Sequence, residues 1–431
     1  MVEQPGKPYN KNLIFNLRPQ YMKYYNLPDK VKIKLLTYSI FLASIIFFWN
    51  IQIEVIVEGV PFYFFLFFVI TIVLSFSYNE LLKIFLFYFL EIIYLFVQKL
   101  QGVTFFKIKK TFLGLIIFPY LLFIVYKSLK IIIQNKLAKY YFFKFLRIFI
   151  LLQLIVQVIQ LILGKLGIYY SGYTYILGLQ RVSGLFSEPS HLAISIMPFF
   201  YLYLHHYHFA KKYLGKYTIL ILIFIAILAP CATLLFLLVF MFLLKLNKIK
   251  LKNIIIIFLV VAITTLLIIK VSFIKERLIG VILGLKYYDE VKNVSALAFI
   301  KGLQMAYYGI THYIFGVGFL NLFFLNQFAP ISHMNSFLYF LNAEDGSSFA
   351  FKLIGELGWL GLFLIIYSFM YFFKIFKSHK EKDIILSFFL FGLICNYLRG
   401  STYFDGYPII GLAVLIYGIE NLLQKLMKKT S

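Results

Sequence analysis

The chain has 431 residues, of which 62% are hydrophobic and only 14% charged, with a mean hydropathy of +0.88. No soluble domain of this size stays in solution with that composition, so the sequence excludes a soluble enzyme or binding module and points to a bilayer. The formal net charge of +25 would suit nucleic acid, but the lysines stand in short clusters between apolar runs. They are topology signals, and no nucleic-acid partner is expected.

Met1 to Pro28 is polar and aromatic, with no short apolar stretch before a small-residue cleavage site, so no cleavable signal peptide is expected and residues 1–32 form an N-terminal cytoplasmic segment. Apolar runs of about 18 to 25 residues, long enough to cross roughly 30 Å of hydrocarbon as helices, then begin. The first five candidate spans are 33–51, 60–78, 80–98, 111–127 and 145–164. Further on come 189–208, a long run over 217–244, then 253–272, 349–373, 383–398 and 404–423. A short tail, 425–431, follows, and the expected organisation is one polytopic membrane domain over 33–424.

The 217–244 run is too long for one ordinary span and contains Pro230, followed by Cys231, Ala232 and Thr233. As one kinked helix it gives 11 membrane segments and puts Lys245–Lys252 opposite Lys211–Lys216. As a tight hairpin it gives about twelve segments and places the clusters Lys30–Lys34, Lys127–Lys144, Lys211–Lys216, Lys245–Lys252, Lys374–Lys382 and Lys425–Lys429 on one cytoplasmic side. The hairpin is the preferred reading, with both termini inside; only Lys99–Lys110 then breaks the pattern. The fold class expected is an all-α polytopic integral membrane protein. Two extracytoplasmic segments follow, 165–188 and a large loop over 273–348. The large loop contains a mildly amphipathic stretch, Val294–Ile310, and should carry short interfacial helices. Cys231 and Cys395 lie in or beside apolar runs, which argues against both a disulfide and a thiolate metal site.

Only five of the 42 basic residues are arginine, and three of them, Arg181, Arg277 and Arg399, fall in expected outer segments, where positive charge is otherwise depleted. A guanidinium grips a phosphate or carboxylate at two points and keeps its charge, so outer arginines suit a pyrophosphate ligand; one alone would equally suit a lipid headgroup. In Glu188-Pro189, proline fits the first turn of a helix and the carboxylate complements the helix dipole. Equally, Glu188 could orient Arg181 or act as a proton acceptor. His205, His206 and His208 stand at the cytoplasmic end of a span and read as interfacial residues, so no metal is expected.

The stretch Gln180-Arg181-Val182-Ser183-Gly184-Leu185-Phe186-Ser187-Glu188-Pro189 resembles the Arg-x-x-Gly-hydrophobic-Phe-x-(Glu/Asn)-Pro segment of the O-antigen and capsular polysaccharide polymerase (Wzy-like) and O-antigen ligase superfamily. Ala229–Thr233 is similar to that family's small-residue hairpin turn, Gly316-Val317-Gly318 to its Gly-x-Gly element, and Glu356-Leu357-Gly358-Trp359-Leu360-Gly361 to its Glu-x-Gly-x-x-Gly opening of a span. The resemblance covers about half the chain, from Arg181 to about Gly411. It implies a metal-independent membrane glycosyltransferase without cofactor, joining undecaprenyl-pyrophosphate-linked oligosaccharides at the outer face of a bacterial cytoplasmic (inner) membrane. Arg181, Glu188, His333 and Arg399 would be its catalytic residues, with His333 or Glu188 as base. Arg277, Lys301 and Asn335 would bind substrate; Lys301 stands where an arginine is expected in many relatives. His312 is a second histidine in the same loop. Partners implied are membrane lipids and the flippase and chain-length regulator of such a pathway.

A ligase of the same superfamily and a non-enzymatic flippase of lipid-linked sugars are the alternatives. The absence of a Gly-x-x-x-x-Gly-Lys-Ser/Thr loop argues against ATP-driven transport, and the absence of an Asp-x-Asp triplet against a metal-held nucleotide sugar. A composition rich in Lys, Ile, Phe, Tyr and Asn is in keeping with an AT-rich bacterial genome.

Overall fold

The computed structural model describes residues 28–48, 78–104, 108–168, 174–176, 179–186, 188–229, 231–244, 272–399 and 402–430. The expected spans 60–78 and 253–272 lie largely or wholly outside the described residues. The first four helices are α1 (Asp29–Phe48), α2 (Tyr78–Leu100), α3 (Ile108–Gln134) and α4 (Lys136–Lys165). Asn135 separates α3 from α4 and caps the second, its side chain accepting from the amides of Leu137 and Ala138. A two-stranded antiparallel sheet, β1 (Thr174–Ile176) and β2 (Leu179–Arg181), is the one sheet among the described residues and lies within 165–188, expected as a segment between spans.

Next come α5 (Pro189–His205), α6 (Tyr207–Tyr213), α7 (Thr218–Leu228) and α8 (Ala232–Leu244). The 217–244 run is therefore two helices, and their contacts give their directions. Tyr203, near the end of α5, donates to the Gly215 carbonyl just before α7, whereas the Leu228 carbonyl at the end of α7 accepts from Val182, which precedes α5. Cys231 then lies 3.6 Å from the Pro189 carbonyl at the start of α5, and His205 lies 3.3 Å from the Met241 carbonyl. The chain therefore runs along α5 in one direction with α7 and in the other with α8, reversing between these two helices.

The large loop folds as α9 (Ser272–Gly284), α10 (Val294–His312), three 3₁₀ turns and α11 (Ser336–Phe340). The chain closes with α12 (Phe349–Leu357), α13 (Trp359–Ile375), α14 (Glu381–Leu398) and α15 (Gly406–Thr430). The expected single span over 349–373 is thus broken. Gly358 has φ +60°, and a Cβ there would stand 2.2 Å from the Ile314 carbonyl oxygen, so the chain leaves helical geometry to admit the loop before it.

Among the described residues, four helices are long and apolar enough to cross a membrane by length and composition, in Asp29–Phe48, Ile117–Gln134, Lys136–Lys165 and Gly406–Lys428; α7, most of α8, and α13 are shorter apolar helices. The chain is a membrane protein. Its packed centre is aromatic: α14, buried almost throughout, lies against α5, α13 and α15, with Phe388 in ring contact with Phe199 and Phe391 stacked on Tyr201.

Ion pairs sort the helix ends. Glu381 at the start of α14 meets Lys139 of α4 (2.6 Å) and Lys212 of α6 (2.8 Å), while Glu420 of α15 meets Tyr126 and Lys130 of α3. These lysine-rich ends share one end of the bundle. Arg399 terminates α14 about 27 Å away, at 1.5 Å per residue. Gln98, near the end of α2, donates to the Phe315 carbonyl and so lies with the arginine end.

Candidate functional site

Glu188 precedes Pro189, which takes the first position of α5, and its backbone is extended (φ −135°, ψ 146°) as an N-cap requires. Its carboxylate does not cap the helix. It accepts instead from Arg399 Nη2 at 2.8 Å and from Ser190 Oγ at 2.9 Å. Two residues 211 positions apart are thereby joined where α5 begins and α14 ends. The side chain of Arg399 is 13% exposed and that of Glu188 49% exposed, so the cation is held in the protein while the carboxylate faces outward.

Burial pushes the Glu188 carboxyl up, but the charges of Arg399 and His191 and the hydrogen bonds from Arg399 and Ser190 together pull it down to about 2. His191, one turn into α5, interacts electrostatically with both members of the pair and with Asp345. Arg399 Nε is buried and has no hydrogen-bond partner among the described residues.

The Arg399 turn is braced from α12. Ser348 Oγ donates to the Tyr397 carbonyl at 2.6 Å, Phe349 stacks on Tyr397 at 6.1 Å, and it meets Tyr403 edge-on at 5.4 Å. Lys352 lies 5.7 Å over the Tyr403 ring and forms a 3.1 Å ion pair with Glu356, both side chains being essentially fully buried. The Glu356 carboxylate also accepts the backbone N–H groups of Leu320 (2.9 Å) and Leu322 (3.1 Å). Val317 and Gly318 donate to the carbonyls of Gly355 and Glu356, and Trp359 to that of Ile314. The Gly316–Gly318 element and the Glu356–Gly361 segment, separate motifs in the sequence, are one interlocked unit at this end of the bundle.

The other residues singled out in the sequence fall elsewhere. Lys301 is 1% exposed and donates to the carbonyls of Leu338, Tyr339 and Leu341 at 2.7 to 2.9 Å, so its ammonium closes the end of α11. Burial pulls that ammonium down to about 8, against the opposing charge of Asp345. Asn335 is the N-cap of α11, accepting from Leu338 N at 2.7 Å. His333 is exposed at the end of a 3₁₀ turn, with Nε2 2.9 Å from the Gln327 carbonyl. His312 is exposed and stacked on Tyr308 at 3.9 Å. Arg181 ends β2 opposite Thr174 and Arg277 lies on α9; both are placed by their backbone alone. His205 and His206 contact Met241 and Tyr201, and among the described residues no group of three His, Cys, Asp or Glu side chains is placed to hold a metal.

Beside the pair lies an apolar cavity of about 530 Å³ between α8, α9, α10, α13 and α14, lined among others by Thr233, Phe240, Ile282, Phe299, Tyr397 and Leu398. Leu398 adjoins Arg399, and Thr233 lies two residues beyond the Cys231 that touches the start of α5, so one end of the cavity lies near the ion pair, although neither charged side chain lines it. A charged head and an apolar chain could therefore be held side by side, as an anionic lipid requires. Sequence reading had named Glu188 and Arg399 but not their partnership, and it missed Lys352, Asp345 and three glutamines of α4 that hold the Val182–Leu185 backbone. The glutamines were legible as polar residues recurring on one face of an apolar helix. No family model matches the chain, and no curated protein or solved structure matches it either.

Proposed function

We propose that the chain is a membrane glycosyltransferase that polymerises oligosaccharide repeat units carried on a polyprenyl pyrophosphate. The observation that carries this reading is the Arg399–Glu188 pair at 2.8 Å, next in the chain to Leu398, which lines the 530 Å³ apolar cavity. In this reading the cavity takes the first part of the polyprenyl tail, and the Arg399 guanidinium takes the pyrophosphate in exchange for Glu188. Arg181 and Arg277 add positive charge to the same leaving group.

The reaction is a displacement at the anomeric carbon of the growing chain. A hydroxyl oxygen of the incoming unit forms the new C–O bond, the bond from that carbon to the pyrophosphate oxygen breaks, and polyprenyl pyrophosphate leaves with the electron pair. The hydroxyl proton passes to Glu188. In the resting pair that carboxylate is too weak a base for the task. Once the pyrophosphate competes for Arg399, the charge that holds the Glu188 carboxyl at about 2 is shared, and its basicity rises. Glu188 is preferred over His333 as base because it is paired with Arg399, the residue that would hold the leaving group.

Deletion in the producing cell followed by glycan sizing tests the assignment. Single repeat units are the expected product; long chains stranded on the carrier would mark a ligase, and units trapped on the cytoplasmic side a flippase. Arg399→Ala should reduce chain extension at least about a hundredfold, in line with loss of a charge-stabilising donor, while the protein still inserts. Full-length glycan from that variant would refute the catalytic role.

A further inference from the structure

Helix α4 carries Gln153, Gln157 and Gln160, spaced four and three residues apart, so all three face the same side of an otherwise apolar helix. Primary amides facing lipid are costly, and their retention in a span calls for partners. Here the partners are the backbone of one short loop. Gln153 donates to the Ser183 carbonyl (3.1 Å) and accepts from Leu185 N (2.9 Å). Gln157 donates to the Val182 carbonyl at 3.0 Å and lies 3.4 Å from the Ile225 carbonyl of α7. Gln160 holds Gly184 from both sides, donating to its carbonyl at 2.8 Å and accepting from its N–H at 2.7 Å.

Gly184 has φ +66°, and a Cβ there would fall 1.8 Å from Gln153 Nε2, so the loop seats against the amides only because this residue is glycine. The gripped residues run from Val182 to Leu185. Arg181 precedes them and Glu188 follows three residues later. Apolar packing would bury the same loop without fixing its register; paired amide hydrogen bonds are directional and fix it within tenths of an ångström.

We infer that Gln153, Gln157 and Gln160 are positioning residues that fix the backbone leading from Arg181 to Glu188, and with it the placement of Glu188 against Arg399, by clamping Val182–Leu185. This inference rests on the proposed function for its catalytic consequence, but the clamp itself does not. The test uses the full chain in membranes, in a background with Cys231→Ala and Cys395→Ala, carrying Glu188→Cys as a reporter for a membrane-impermeant maleimide. Adding Gln160→Leu, which removes two hydrogen bonds while keeping the shape, should change the labelling rate about tenfold. Gln160→Glu, which keeps the acceptor for Gly184 N, should give a smaller change.

In parallel, Gln160→Leu in the otherwise native chain should shorten the glycan with unchanged membrane insertion and unchanged protein level. If Gln160→Leu lowers the protein level, Gln153→Leu serves in both assays with the same expectations. An unchanged labelling rate overturns the clamp. A changed rate with full-length glycan overturns the positioning role, and if Arg399→Ala is inactive in the same assay the proposed function itself still stands.

Discussion

Replacing Lys352 by methionine keeps the length and most of the volume of the side chain but removes the only cation bonded to Glu356 among the described residues. Glu356 is 0% exposed and Lys352 2% exposed, so neither charge can turn to solvent. Truncating one partner of such a pair typically costs about 3 to 5 kcal/mol, because the other charge is left buried. The two N–H donors of Leu320 and Leu322 remain on the carboxylate and put this case at the lower end, about 3 kcal/mol. Lys352 also donates to the Glu344 carbonyl, and that bond is lost as well. In a thermal-stability series on detergent-solubilised protein the expected fall in apparent midpoint is about 5 °C. Adding Glu356→Gln should recover part of that loss, since no bare charge then remains. A Lys352→Met protein as stable as the parent, or a double variant weaker than the sum of the singles, would refute the argument that this buried pair fixes the loop against α12.

Gly358→Ala should be at least as damaging as Lys352→Met, since a methyl at φ +60° would collide with the Ile314 carbonyl and the Gly316 amide; recovery of folded protein after solubilisation reads the effect, and wild-type yield would contradict it. The Glu188 carboxyl, lowered from 4.5 to about 2 in the fold, contributes stability that is fully present above about pH 4.5 and is lost as the pH falls through about 2. Because this carboxylate is half-exposed, solvent screening limits the contribution to about 1 kcal/mol. The stability gap between the parent and Arg399→Ala should therefore be constant from pH 7 to 5 and narrow below pH 4.5; a gap that widens toward low pH would show that Glu188 is not the partner of Arg399.

What the sequence determined by itself was whatever depends on composition and spacing along one segment. Apolar runs long enough to cross hydrocarbon identified a membrane protein, and of the lysine clusters expected on one side, the ion pairs of Glu381 join Lys139 of one to Lys212 of another. Proline and small residues at 229–233 marked the reversal between α7 and α8, because helical hydrogen bonding cannot continue through such a turn. Tertiary structure alone decided the rest. The break at Gly358 depends on a loop more than 40 residues upstream pressing on the helix, and local propensity carries no trace of such an approach. Lys301 reads as a ligand-binding cation in an outer loop until three carbonyls converge on it. The Glu188–Arg399 pair spans 211 positions, and a charge's partner at that separation is set by how helices pack, not by neighbours in the chain.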